Sequence, residues 1–155
     1  MDVKIINPFL TATMHVLKAM AQVDAKPGKP FLKKDDVAIG DVSAIIGVTG
    51  SAQGSMALIF TEQCIKHIAS NLLGEPFTQL SHEVRDAVGE LTNVICGDAR
   101  RRLSEEGLCL QAGIPTVVAG ANHSITHIAD GPRLAVPFET ANGSFMVEVA
   151  FSMSG

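Results

Sequence analysis

The segment 81–107 constrains this chain more than any other, because it reads as one long two-faced helix. Ser81 is placed as an N-cap. The helical pattern runs to about Glu106, and Gly107 follows where a left-handed C′ residue is expected. At ~100° per residue, Val84, Val88, Leu91 and Ile95 fall in one narrow stripe, which has to face a core. Asp86, Glu90, Asn93 and Gly97 fall together on the opposite side, spaced i, i+4, i+7, i+11. Gly89 lies beside that line.

The rest of the chain supplies what such a helix can pack on. Asn7-Pro8 reads as an N-cap with proline at the first helical position, and Leu10, Met14, Leu17 and Ala21 continue at helical spacing. Lys26-Pro27-Gly28-Lys29-Pro30 is loop by composition. Residues 37–48 read as a strand, Gly50-Ser51-Ala52-Gln53-Gly54 as a turn, and 56–60 as the return strand of a hairpin. Thr61 caps a second helix reaching Leu73, which Gly74-Glu75-Pro76 stops. After the long helix, strands are expected over 108–114 and 116–119, with 123–130 ambiguous. Residues 134–140 and 144–153 flank Asn142-Gly143, a strong hairpin signal. In the last strand Phe145, Val147, Val149 and Phe151 share one face and Met146 and Glu148 the other. Gly54-Ser55-Met56 and Gly143-Ser144-Phe145 hint at a weak internal duplication. The expected fold is α/β of the α+β kind: a mainly antiparallel sheet of hairpins packed on long helices, in one domain spanning residues 1–155.

Composition excludes several classes. Phe supplies all seven aromatics, and the net charge is −4. A base-stacking platform in a basic groove is therefore not expected, and nucleic acid is not a partner. No apolar run approaches the ~18 residues that span a bilayer, and the N-terminus lacks a signal peptide's charged and apolar regions. A cytoplasmic protein with no membrane partner is expected. Cys64, Cys96 and Cys109 form no CxxC pair and no zinc spacing, so they read as reduced and mostly buried. His123 and His127 lie four apart without a third ligand. No GxxxxGK[ST] loop is present.

Polar residues opposite an apolar stripe are ordinarily a solvated face. Two details argue for more. Gly89 and Gly97 each cost about 1 kcal/mol relative to Ala inside a helix, and glycine lets another backbone or a ligand come close. Asn93 is also a poor interior helix former. A carboxylate–amide face with small gaps suits docking.

Asp86-x3-Glu90-x2-Asn93, followed after 21 residues by Pro115, resembles the active-site pattern of the CheC, CheX and FliY family of chemotaxis phosphatases, and most of all its CheX branch. The likeness runs from the first helix to the last hairpin. Members with two sites, as in CheC, carry a second Glu-x2-Asn on the first helix. Here that helix has none, which favours one site per chain. The resemblance implies a phosphatase for the aspartyl phosphate of a CheY-like receiver domain. It also implies a homodimer joined at a sheet edge, no cofactor or metal of the chain's own, and a Mg²⁺ carried by the receiver.

The chemistry expected of such a site is modest. An aspartyl phosphate is already labile, so a water has only to be placed in line with the P–O bond. An Asn amide donates and accepts without titrating, which assigns that catalytic role to Asn93. The resemblance gives Glu90 a pairing with the receiver's active-site Lys, with a general-base role as the other reading. Asp86 extends the docking contact or is merely solvated. Pro115 shapes the strand beside the helix, and Gly97 leaves room for the partner. Arg100 and Arg101 either meet the receiver's acidic rim or form an ordinary solvated face. The rival reading from another class is a module that binds a receiver without catalysis.

Overall fold

The apolar stripe of the long helix sets the layer order in the computed structural model, which describes residues 3–35, 40–120, 123 and 133–153. The elements are α1 (Val3–Ala21), β1 (Lys26–Pro27), β2 (Phe31–Lys33), β3 (Val42–Gly50), β4 (Ala52–Phe60), α2 (Glu62–Leu73), α3 (His82–Glu105), β5 (Leu110–Ala112), β6 (Thr116–Ala119), β7 (Arg133–Thr140) and β8 (Gly143–Met153). Val84, Val88, Leu91 and Ile95 are all buried. They seat α3 against α1 and α2 and across β3. Three helices thus cover one face of an antiparallel sheet.

The sheet order is β1-β7-β8-β4-β3-β5, with β2 also on β7 and β6 also on β3. Exchanging the two halves of the chain reproduces this order in reverse. The duplication hinted at by the two Gly-Ser turn exits is therefore a pseudo-twofold centred on the β4–β8 pair, registered from Ala52↔Met153 to Phe60↔Phe145. Phe145, Val147, Val149 and Phe151 of β8 all enter the core. Phe151 meets Phe9 of α1 at 5.1 Å between ring centroids, and Phe145 stacks on Phe138 at 4.9 Å. On the other face Glu148 is also buried, held by Lys33 of β2 at 2.5 Å.

Both predicted caps of α3 are present. Ser81 Oγ accepts from the Val84 amide at 3.3 Å, and Gly107 has φ +87°. Thr61 caps α2 and Gly74 ends it with φ +71°.

Several expectations need correction. Asn7-Pro8 does not start α1, which begins at Val3 and carries Pro8 inside. Proline donates no hydrogen bond to the turn before it. Burial of Ile5 and Ile6, worth about 1.5–3 kcal/mol each, offsets that loss. Second, 26–30 is not all loop: Lys26 and Pro27 pair with β7, Gly28 donates to Pro137 O at 2.7 Å, and β2 follows. Proline is tolerated there because the strand is an edge. Third, the β3–β4 turn is tighter than 50–54, and β4 already starts at Ala52. Gly50 turns the chain at φ +118°. Gly54 belongs to the strand, where a Cβ would collide with the Ala150 carbonyl of β8. The strand expected over 37–48 is β3, which spans Val42–Gly50, residues 36–39 lying outside the described residues. The first strand after α3 spans only Leu110–Ala112.

Candidate functional site

The geometry of α3 turns the sequence spacing into a surface. Asp86, Glu90, Asn93 and Gly97 are all exposed, on the side away from the buried stripe. Asp86, Gly89, Glu90 and Asn93 line a shallow cleft of about 520 Å³, closed on its other side by Ile114, Pro115 and Val117 from the β5–β6 region. Pro115, distant in sequence, thus shares one depression with Asp86, Glu90 and Asn93. Gly97 lies outside the cleft lining, further along the helix.

The two glycines differ in their neighbours. A Cβ on Gly89 would meet Val117 Cγ2 at 3.4 Å, an ordinary van der Waals contact, so the packing of β6 does not demand glycine there. A Cβ on Gly97 would meet nothing within 4 Å. Among the described residues, packing requires glycine at neither position.

The side chains differ in how committed they are. Asp86 faces His82 one turn earlier at 3.3 Å, both well exposed. Arg101 is tied to Asp98 at 2.9 Å and to Glu105 at 3.2 Å, and Arg102 to Asp98 at 2.9 Å. Partial desolvation pushes the Asp98 carboxyl up, but hydrogen bonds from Arg102 and Arg101 outweigh it and hold it below the ordinary carboxylate range. Arg101 is therefore an intrahelical partner, in keeping with the solvated-face reading. Arg100 is half-buried, and its Nε lacks a hydrogen-bond partner among the described residues. The side chains of Glu90 and Asn93 likewise have no hydrogen-bond or ion-pair partner among the described residues. A carboxylate and an amide one helical turn apart, held on a rigid rod and left uncommitted, can engage an incoming polar group without first breaking an internal bond.

Other chemistries find less support. Burial pushes the Cys64 and Cys96 thiols up to about 11, with Arg100 partly opposing the rise at Cys96. Such thiols stay protonated near neutrality and make poor nucleophiles. Cys64 and Cys96 are buried, as expected of most of the cysteines, and Cys109 is exposed. His123 lies within 2.6 Å of Ser43 Oγ and 2.5 Å of Gly120 O, while His127 lies outside the described residues. Among the described residues no group of three or more His, Cys, Asp or Glu could hold a metal ion, and no helix is long and apolar enough to cross a membrane.

Sequence reasoning missed Ile114. The sequence pattern places it at the end of a strand, yet it stands 90% exposed at the mouth of the cleft. Its position between Gly113 and Pro115, two residues that interrupt strand pairing, was the available signal.

A mixed fold of antiparallel hairpins under three helices, with a carboxylate–amide face on the longest, defines the class, and comparison with known proteins narrows it. The model of the chemotaxis phosphatase CheX family matches residues 42–139. The CheY-P phosphatase CheX of Thermotoga maritima is 27% identical over 126 residues, 81% of each chain. A CheC-like superfamily protein from Shewanella sp. PV-4 is 44% identical, with a TM-score of 0.91 over 98% of this chain and 99% of that one. The CheX of Borrelia burgdorferi, solved as a CheX-CheY-BeF3-Mg²⁺ complex, is 29% identical, with a TM-score of 0.80 over 94% of this chain and 96% of its own. The chain belongs to the chemotaxis phosphatase CheX family.

Proposed function

We propose that this protein hydrolyses the aspartyl phosphate of a CheY-type receiver domain. Asn93 holds the attacking water through its amide, and Glu90 docks on the receiver's active-site Lys. Asp86, Gly97 and Pro115 shape the contact around them. The observation that carries the reading is the pair of uncommitted side chains, Glu90 and Asn93, on one exposed face of α3 beside Pro115. Family membership supports it, as does the Borrelia CheX seen with a CheY bearing a phosphate mimic and Mg²⁺. In this reading the Mg²⁺ and the Lys that neutralise the phosphoryl oxygens come from the receiver, and the chain brings no metal of its own. The protein works in the cytoplasm, as a homodimer joined through a sheet edge.

The main alternative is a receiver-binding module without catalysis. It has no use for an unpaired amide at position 93, since docking alone is served by carboxylates. Phosphate release from a phosphorylated receiver, with and without this protein, separates the two. Catalysis accelerates release at substoichiometric protein; an adaptor leaves the rate unchanged or slows it.

A further inference from the structure

We propose that an apolar hollow on the far side of Glu90 receives an apolar side chain, flanked by a Lys or Arg, from the surface of the same receiver. The inference rests on the receiver-phosphatase reading and gives that site a second, specificity-setting contact. The hollow, about 460 Å³, lies between α1, α2 and α3. Met20 and the paired Leu72 and Leu73 form its apolar wall, with Met20 38% and Leu73 49% exposed. Its rim on α3 carries Glu83, Asp86 and Glu90.

Three observations choose the occupant. Asp86 and Glu90 line both this hollow and the cleft that holds Asn93 and Pro115. A body seated on Glu90 with its reactive group at Asn93 therefore also covers the hollow. The rim is acidic and the chain carries a net −4. Neither Glu83 nor Glu90 has a side-chain partner among the described residues, so the complement is an apolar group beside a cation. A second copy of this chain is disfavoured, because a twofold contact through this patch would set one carboxylate rim against its equal. Apolar anchors in a pocket beside a polar centre are where interface energy concentrates.

Calorimetric titration with the organism's own CheY-type receiver, loaded with beryllofluoride and Mg²⁺, tests this. Leu73→Gln and Met20→Ser change half-exposed side chains, and unchanged far-ultraviolet dichroism and melting checks that each variant is folded. Each is expected to raise Kd about tenfold. Glu83→Gln is expected to raise it less and to flatten its dependence on salt. Unchanged Kd for both apolar variants, while Glu90→Ala weakens binding, overturns the proposal. So does loss of self-association in these variants with receiver affinity intact. Absence of wild-type binding overturns both this inference and the function it rests on. Binding that requires Leu73 without accelerated hydrolysis sustains the contact and sinks only the catalytic reading.

Discussion

Glu90 and Asn93 matter less for what they touch than for what they leave untouched. Their spacing was legible in the sequence because 3.6-residue periodicity is a local property. That their side chains stay unpaired depends on the tertiary surroundings and is not. Glu90→Ala is expected to raise the Kd for a beryllofluoride-loaded receiver at least tenfold, as loss of a charge-assisted contact does, whereas unchanged affinity with lost rate assigns Glu90 to proton transfer. The cysteines give a separate check. In the native protein iodoacetamide should label only the exposed Cys109, and after denaturation all three thiols. Cys64 and Cys96 also carry a pH signature. Their folded values, about 11 against 9.0 unfolded, are raised, so the stability linked to them is fully present below pH 9. It is lost as pH climbs toward 11, by at most about 1.4 kcal/mol per pH unit for each thiol. Chemical denaturation at pH 8 and pH 10 measures this loss, and the Cys96→Ala protein should show a shallower one.

At the scale of elements, α3 was the most legible part of the molecule: its stripe, its serine cap and its terminal glycine are all local signals. The misread elements share a cause. Asn7-Pro8 is a sound local start for a helix, but Ile5 and Ile6 find a core that only the whole fold creates. β1 and β2 are too short and polar to announce themselves, and they exist because β7 offers an edge. Gly54 has the local character of a turn residue, but the backbone of β8 lies against it and makes it part of the strand. Gly97 allows structure and function to be told apart within one element. A methyl group there meets open space and removes glycine's helical cost, so Gly97→Ala should stabilise the protein by about 1 kcal/mol. If the position is kept bare for a docking partner, the same variant should bind the loaded receiver more weakly. Thermal melting and calorimetry on that one variant read both effects. A gain in stability without a loss of affinity would remove Gly97 from the contact.

For the whole molecule, the sheet is palindromic but the chemistry is not. α1 occupies the place in the first half that α3 holds in the second, yet presents Thr11, His15 and Lys18 outward, with no carboxylate–amide pair. In the proposed function this gives one site per chain, and two per molecule if two chains join. The edge carrying β2 exposes Phe31 and Leu32, an arrangement that monomers ordinarily avoid. We expect Leu32→Lys to shift sedimentation toward the monomer. The central claim, that an amide on α3 orients the hydrolytic water, is tested most directly by Asn93→Ala in paired assays of receiver binding and phosphate release. The expected result is affinity for the beryllofluoride-loaded receiver within about twofold of wild type and a catalysed rate about 10²-fold lower, the scale on which positioning effects act. Phosphate release at the wild-type rate by the Asn93→Ala protein would contradict the account.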